Sequence, residues 1–376
     1  MAGLLIMLAS SFISLINYVE IGGIIRIFKY IMYVGAIFSL SKYNFHLFIK
    51  IFNNVALISI STTLLIYLYQ FFTFDGSFTL FVHYTTWDRN FVPSGFSNLN
   101  LNIFDLSFSR SGGNHGIYGT YLVLVIMVNF NNFLDSKLKP GFKNYFLIVI
   151  SLINISLISS REALLVLIVV FALYGIHQLI NLRINKMYYY GIFIFLLFIS
   201  LVFIYNIDIG IINKINYTIS ALSESGGEYN ISARLNVWTL ILMSYTLFPI
   251  YFFVGYGYNE SNFNFYLTQT NEHYYSFAYY ASIPESLFLT FLGYGGILSL
   301  SLLLLFFLAM LRFGWKNYNR STFHKLFFYF TIGLIISNNF GGSMLSDMLF
   351  AQYSLVYLWL NKNQNLGNYK FINNYN

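Results

Sequence analysis

The sequence predicts an all-α polytopic membrane protein with about ten transmembrane helices, and three observations support this fold class. Hydrophobic residues make up 57% of the 376 residues and charged residues only 9%, whereas a soluble chain carries about 25% charged residues. Apolar runs of about 17–25 residues, long enough to cross a bilayer as helices, recur along the chain. The basic residues are also divided unequally between the two sides that these runs define.

Ten apolar runs are predicted to span the membrane, within a single integral membrane domain over residues 1–376. The runs cover residues 2–19, 27–41, 51–72, 115–133, 144–160, 163–181, 188–207, 284–311, 325–340 and 344–360. No basic segment precedes the first run, so we predict a retained helix rather than a cleaved signal peptide.

The distribution of charge predicts that both termini lie in the cytoplasm. With the N-terminus inside, 13 of the 20 basic residues and one acid, Asp135, fall on the cytoplasmic side. This excess is the positive-inside pattern of membrane proteins. The net charge of +7 therefore reflects orientation and does not indicate a nucleic-acid partner. The remaining basic residues lie outside: Arg26, Lys29, Arg89, Arg110, Arg161, Lys214 and Arg234.

Two outer segments, residues 73–114 and 208–283, are long enough to be loops with a function. In the second loop, apolar residues recur at i, i+4 and i+7, which predicts a short amphipathic helix at the membrane surface. The apolar positions are Ile231, Leu235, Trp238, Leu242 and Tyr245.

The residue types exclude several kinds of chemistry. The chain has no cysteine, which rules out disulfides, thiolate catalysis and Cys-ligated zinc. The six histidines show no ligand spacing such as HxxxH, so no metal site is predicted. The four prolines avoid the centres of the predicted spans, so no discontinuous helix of the transporter kind is predicted.

The stretch SSREALLVL, residues 159–167, places two charges between two apolar runs. Ser159 and Glu162 have the spacing of a capping box at the start of a helix. Arg161 lies in the same first turn, where the helix dipole disfavours a cation by roughly 0.3–1 kcal/mol. Topology does not explain this arginine either, so it either reaches lipid headgroups or binds an anion.

Two further outer arginines are candidates for anion binding. Arg234 lies on the predicted surface helix, where anchoring to headgroups is the alternative. Arg110 precedes a Gly-rich turn, SGGNHG, that leads into a spanning helix. Free backbone N–H groups at such a helix start attract anions, although the glycines alone also suit a plain turn.

Three residues in outer segments are candidates for acid–base chemistry. Glu285 has the spacing of a second capping box with Ser282, so a structural role is the alternative. Histidine is a common general base, so His273, in NEHYYS, and His115 are the other candidates, with an ordinary surface histidine as the alternative for each.

Four segments resemble, in order, the motifs of the Wzy-type O-antigen polymerases and their sister enzymes, the O-antigen ligases. The segments are SRSGGNHGIYGTYL, SSREALLVLIVVF, ARLNVWTLI followed by VGYGYN, and PESLFLTFLGYGGILSL, within about residues 100–310. One departure is Gly113-Asn114-His115-Gly116, where the family often has GNPN, which leaves a role for His115 open.

The resemblance implies a reaction at the periplasmic face of the bacterial inner membrane. A growing glycan on undecaprenyl pyrophosphate is transferred to a hydroxyl of the next lipid-linked repeat unit, without cofactor, metal or nucleotide sugar. Membrane lipid and a chain-length regulator protein are the other expected partners. In this scheme Arg161, Arg234 and Arg110 bind the pyrophosphate, and Glu285 or His273 is the base.

Two alternatives stay open at this point. An O-antigen ligase would transfer the glycan to a lipid A core instead, and it typically carries a loop histidine before the helix that follows the large loop. Here His273 and then Glu285 occupy that region, which favours a polymerase. A transporter of lipid-linked oligosaccharide belongs to another class, and it predicts internal repeats and short outer loops.

Overall fold

The computed structural model describes residues 32, 45–73, 102–103, 106–107, 115–134, 141–158, 160–180, 229–257, 260–274 and 286–339. The predicted spans 2–19, 188–207 and 344–360, with most of 27–41, lie outside these residues. Most of the outer loop 73–114 also lies outside them.

Nine helices and one pair of two-residue strands form the described part of the chain. The helices are α1 Phe45–Thr73, α2 His115–Leu134, α3 Phe142–Ile158, α4 Arg161–Ile180, α5 Tyr229–Leu247, α6 Pro249–Val254, α7 Glu260–Tyr274, α8 Leu287–Lys316 and α9 Thr322–Ser337. The strands β1 Asn102–Ile103 and β2 Leu106–Ser107 pair antiparallel. The predicted all-α class is therefore confirmed, apart from this one short pair.

The prediction of about ten spanning helices is not supported by the described residues. Among them, α8 alone is long and apolar enough to cross a membrane, with 30 residues and a mean hydropathy of 2.2. The reason is length, because the other apolar stretches have 10–17 residues and a spanning helix needs about 20. These stretches are Ile49–Leu65, Gly116–Asn131, Phe142–Ile155, Glu162–Gln178, Leu235–Leu247 and Thr322–Ser337.

One compact unit, which we call the α2 unit, contains the described residues of 42–216 and 311–337. Its central helix α2 packs against α1, α3, α4 and α9. From Thr120 to Asn129, no side chain of α2 is more than 5% exposed. The sequence of α2 explains this position, because a helix that is apolar on every face is stable only when other elements surround it.

Polar side chains join helices inside the α2 unit. Asn129 Nδ2 donates a hydrogen bond to Asn53 Oδ1 at 3.1 Å, and Tyr118 Oη donates one to Thr63 Oγ1 at 3.1 Å. All four residues are buried. Each bond therefore fixes α2 against α1 at a position where an unpaired amide or hydroxyl would be costly.

The second compact unit, the α5 unit, contains the described residues of 217–310 together with residues 338–339. Helices α5, α6 and α7 pack around an aromatic and aliphatic core with the first half of α8. The core residues are Val237, Leu240, Ile241, Tyr245, Tyr256, Phe263, Leu267, Leu292 and Tyr294.

Helix α5 occupies the segment predicted as amphipathic and buries Tyr245 of the predicted stripe, but most of its buried face differs from that stripe. Leu235 and Leu242 of the predicted stripe are 50% and 56% exposed, whereas Leu240 and Ile241 are fully buried. The segment is apolar on both sides, so the sequence pattern did not distinguish the faces. Packing against α6 and α7 selects the buried one.

Helix α8 is interrupted at Gly296, which has φ 63° and ψ −166°. A Cβ on this residue would overlap the carbonyl group of Phe253 and lie 2.7 Å from the backbone nitrogen of Gly255. The proline positions gave no signal of this interruption, because a glycine and not a proline causes it. The remaining uninterrupted segment, residues 297–316, is about 30 Å long at 1.5 Å per residue.

Candidate functional site

The N-terminal ends of two helices meet in the α2 unit. Helix α2 begins at His115 and helix α4 at Arg161, and the two helices pack against each other. A Cβ on Gly119 would lie 2.6 Å from Ala163 Cβ and 2.7 Å from Ser160 Oγ. Glycine therefore permits the close approach, and segments far apart in sequence, GNHGIYG and SREALL, become neighbours.

Ser160 caps helix α4. The backbone nitrogen of Ala163 donates to Ser160 Oγ at 3.2 Å, and that of Leu164 donates to the Ser160 carbonyl at 3.1 Å. The predicted capping box, with Ser159 as the cap and Glu162 as the third helical residue, is therefore displaced by one position. Glu162 is the second helical residue and Ala163 the third, so Glu162 does not close a capping box with Ser160.

Glu162 lies against helix α2 instead. A Cβ added to Gly116 would overlap Oε2 of Glu162. The carboxylate thus lies beside the first turns of both α2 and α4, where the unpaired backbone N–H groups and the helix dipoles favour negative charge. The same electrostatics favour an anionic ligand at this end of the unit.

Arg161 is the first residue of helix α4, in the first turn as predicted. Its backbone lies between the capping residue Ser160 and Glu162, beside the start of α2. A cation at a helix N-terminus does not stabilise the helix. Helix stability therefore does not account for this arginine.

Two Gly-Tyr-Gly segments pair through their backbones in the α5 unit. The backbone nitrogen of Tyr256 donates to the Gly293 carbonyl at 2.8 Å, and that of Gly257 donates to the Tyr294 carbonyl at 2.9 Å. Gly255 has φ 74°, and a Cβ there would overlap the Tyr294 carbonyl. These segments belong to VGYGYN and FLGYGGIL, so the structure brings together two motifs that the sequence presented separately.

Tyrosine side chains support this pairing from the core. Tyr245 Oη donates to the Leu292 carbonyl at 2.8 Å, and Tyr256 Oη donates to Ser244 Oγ. The rings of Tyr245 and Tyr256 stack with centroids 5.7 Å apart. Burial raises the pKa of Tyr256 above its ordinary value, so its hydroxyl remains a neutral donor. These contacts make the region a rigid support rather than an open site.

Arg234 and His273 both belong to the α5 unit, but they lie at different positions along it. Thr246 Oγ1 and Tyr274 Oη are 2.6 Å apart, so the exposed His273 lies near the C-terminal end of α5. Arg234 lies twelve residues before Thr246 on α5, which is about 18 Å along a helix. The structure therefore does not bring the two together. The side chain of Arg234 is outside the described residues.

Two candidates fall outside the described residues altogether, Arg110 and Glu285. Glu285 precedes Ser286, which is 2% exposed. Helix α8 starts at Leu287, whose backbone nitrogen donates to the Asn338 carbonyl at 2.9 Å. Among the described residues, no group of three or more His, Asp or Glu side chains is placed to hold a metal ion.

Sequence reasoning missed two features of these regions. The first is the contact of Glu162 with α2, because a capping box with Ser159 already gave Glu162 a structural role. The second is the pairing of the two Gly-Tyr-Gly segments. The occurrence of the same tripeptide in both segments could have suggested that they are related. Both depend on contacts between residues distant along the chain, and helix periodicity carries no information about such contacts.

No protein family, curated protein or solved structure matches this chain significantly.

Proposed function

We propose that this chain is a membrane glycosyltransferase of the O-antigen polymerase kind. It would transfer the growing glycan from undecaprenyl pyrophosphate to the next lipid-linked repeat unit. One observation carries the proposal: the starts of α2 and α4 meet, which joins the segments His115–Gly119 and Ser160–Ala163. These segments belong to two of the four motifs that resemble the polymerases.

The chemistry of a helix start suits the leaving group of this reaction. The acceptor hydroxyl oxygen attacks the anomeric carbon, the bond from that carbon to the pyrophosphate oxygen breaks, and a base takes the hydroxyl proton. Negative charge then develops on the departing pyrophosphate. Backbone N–H groups at the starts of α2 and α4, together with the guanidinium of Arg161, would meet that charge.

The other candidate residues have roles in the same scheme. Arg234 and Arg110 would bind further pyrophosphate oxygens, and Glu285 or His273 would act as the base. The carboxylate of Glu162 would repel the pyrophosphate directly, so its role is to orient Arg161 or the acceptor sugar. No metal or cofactor is needed in this scheme.

We further propose that the chain is embedded in the bacterial inner membrane through about ten helices, with both termini in the cytoplasm. Support comes from the apolar α8 and from the asymmetry of basic residues. Helices α1, α2, α3, α4, α8 and α9 overlap six of the ten predicted spans. Their lengths are 16 to 30 residues, compared with the range of about 17–25 residues for a spanning helix.

The experiment that tests the function is replacement of Arg161 by alanine in a strain lacking the chromosomal copy. We expect long glycan chains to disappear from extracted lipopolysaccharide, leaving core plus a single repeat, while the protein still inserts normally. Lys50→Ala, which removes an exposed cation from α1, is the matched control and should keep the full ladder. A full ladder with Arg161→Ala would contradict the pyrophosphate role.

The same deletion strain separates the proposed polymerase from an O-antigen ligase. Without a polymerase, lipopolysaccharide carries one repeat unit, whereas without a ligase it carries no O-antigen at all. The second outcome would assign ligation to this chain.

A transporter of lipid-linked oligosaccharide is the second candidate, because α8 is interrupted at Gly296. Discontinuous helices form substrate sites in many transporters. Here, however, the break accommodates the backbone of Phe253, so packing already accounts for it. Movement of lipid-linked oligosaccharide across vesicles that contain only this protein would favour the transporter.

A further inference from the structure

The turn that joins α8 to α9 carries a concentrated positive charge. We call residues 312–325 the α8–α9 turn. Arg312, Lys316 and Arg320 recur at intervals of four residues, and all three are exposed. A fourth cation, Lys325, lies in the first turn of α9. The surface thus presents three exposed cations within nine residues.

No acidic residue of the described α2 unit lies near this charge. The sequence from residue 286 to residue 346 contains no Asp or Glu. Helix α9 packs against α2 and α4, and α2 has no acidic residue. The acid of α4 is Glu162, 15 residues before His177, which is about 22 Å along the helix. Within the described part of this unit, no carboxylate therefore lies near Arg312 and Lys316.

An exposed tryptophan lies among these cations. Trp315 is 73% exposed, although its ring approaches Tyr318 at 6.3 Å and Phe328 at 6.1 Å between centroids. An exposed tryptophan beside cations is the pattern of a helix leaving the hydrocarbon at the headgroup layer.

The α8–α9 turn is held in one conformation. The backbone nitrogen of Arg320 donates to the Asn317 carbonyl at 2.9 Å. Lys325 Nζ lies 3.1 Å from His177 Nε2 and 5.2 Å from the centroid of the Tyr318 ring. Lys325 is thus engaged within the protein and adds positive potential behind the exposed cations.

We propose that the α8–α9 turn binds the headgroups of anionic phospholipids. Arg312, Lys316 and Arg320 contact the phosphates, and the ring of Trp315 lies at the level where headgroups meet acyl chains. The exposed ring of Trp315 favours a lipid over a soluble polyanion, because it supplies an apolar, interface-seeking surface beside the cations. This inference rests on the membrane placement in the proposed function, but it is independent of the reaction.

The test counts lipids bound to the full-length protein by native mass spectrometry, with phosphatidylglycerol and phosphatidylcholine supplied in equal amounts. We expect phosphatidylglycerol to be retained preferentially by the wild type. In Arg312→Gln/Lys316→Gln the preference should fall by roughly fivefold for each cation removed, since a cation near an anionic membrane surface contributes about that factor. An unchanged preference in this variant would overturn the proposal.

The matched control is Lys50→Gln/Lys143→Gln, which removes the same charge from α1 and α3. If the preference depended on net charge alone, both double variants would lose it equally, and this outcome would also overturn the proposal. Inorganic phosphate added at constant ionic strength should leave lipid binding unchanged. Displacement of the lipid by phosphate would show a site for free phosphate instead.

A second measurement locates the lipid without relying on the charge variants. In a chain whose other tryptophans, Trp87, Trp238 and Trp359, are replaced by phenylalanine, brominated phosphatidylglycerol should quench Trp315 fluorescence more than brominated phosphatidylcholine. Equal quenching by the two lipids would overturn the headgroup preference alone. A chain that fails to float with vesicles would overturn the membrane placement as well.

Discussion

The carboxylate of Glu162 lies against the backbone of Gly116, where the first turn of α4 meets the first turn of α2. A side chain at position 116 would occupy the space that the Glu162 carboxylate takes. The glycine therefore determines where this negative charge lies relative to Arg161, the preceding residue. This relationship can be changed without altering either charged group.

Replacement of Gly116 by alanine should impair the proposed polymerisation while the fold persists. The atom displaced is the end of a flexible side chain, and alanine in a helix is favoured over glycine by about 1 kcal/mol, so the net effect on stability should be near zero. The displaced carboxylate should shorten the glycan ladder, measured on extracted lipopolysaccharide beside thermal unfolding in detergent. Gly141→Ala is the control, because nothing lies within 4 Å of a Cβ there. An unaltered ladder would mean that the position of this carboxylate is irrelevant to chain growth.

Replacement of Gly296 by alanine should destabilise the α5 unit. Gly296 has φ 63°, which costs an L-residue roughly 1–2 kcal/mol, and a Cβ there would overlap the backbone carbonyl of Phe253. Because a backbone group cannot rotate away, we expect a total loss of more than about 2 kcal/mol. The measurement is the thermal unfolding midpoint, again with Gly141→Ala as the control. Equal midpoints for the two variants would contradict the interrupted geometry of α8.

The positions of the helices could be predicted from the sequence because apolar runs and helix length are local properties. The run predicted at 115–133 corresponds to α2, His115–Leu134, and the run predicted at 163–181 to α4, Arg161–Ile180. The cap of α4 was misassigned by one residue because two serines are adjacent, and the spacing to Glu162 favoured Ser159. Packing of Gly119 against Ser160 selects the second serine.

The candidate site could be predicted less well than the helices. Arg161 was identified by exclusion, since neither topology nor the helix dipole explained it, and its place in the first turn of α4 agrees with that reasoning. The contact of Glu162 with Gly116, and that of Ser160 and Ala163 with Gly119, was not foreseen, because it depends on how α2 packs against α4. The buried face of α5 was missed for the same reason, since Leu235 and Leu242 are as apolar as the residues that pack inside.

Replacement of Tyr256 by phenylalanine should lower the free energy of unfolding at neutral pH. As the pH is raised into the alkaline range, the free energy of unfolding of the variant should fall less than that of the wild type. The variant loses the hydrogen bond to Ser244, at a cost of about 1 kcal/mol. Burial raises the pKa of Tyr256, so above about pH 10 the unfolded chain releases this proton first, and native stability then falls as pH rises. The stabilisation that comes from the raised pKa of Tyr256 is fully present below about pH 10 and is lost as the pH rises further. The variant lacks this stabilisation.

Chemical denaturation of wild type and variant at neutral and alkaline pH measures both effects of the Tyr256 replacement. Tyr274→Phe, which alters an exposed hydroxyl, is the control and should follow the wild type. Identical pH dependence in wild type and Tyr256→Phe would show that this hydroxyl titrates alike in the folded and unfolded chains.

The base of the proposed reaction can be assigned by comparing Glu285→Gln with His273→Ala. Glutamine keeps the size and hydrogen-bonding capacity of Glu285 but cannot accept the proton, so we expect polymerisation to stop if Glu285 is the base. His273 is exposed on the last turn of α7, and its removal should leave the fold intact. If His273 is the base instead, His273→Ala should stop polymerisation and Glu285→Gln should not. The readout is the lipopolysaccharide ladder, with membrane insertion of each variant verified separately, and full ladders from both variants would exclude both residues as the base.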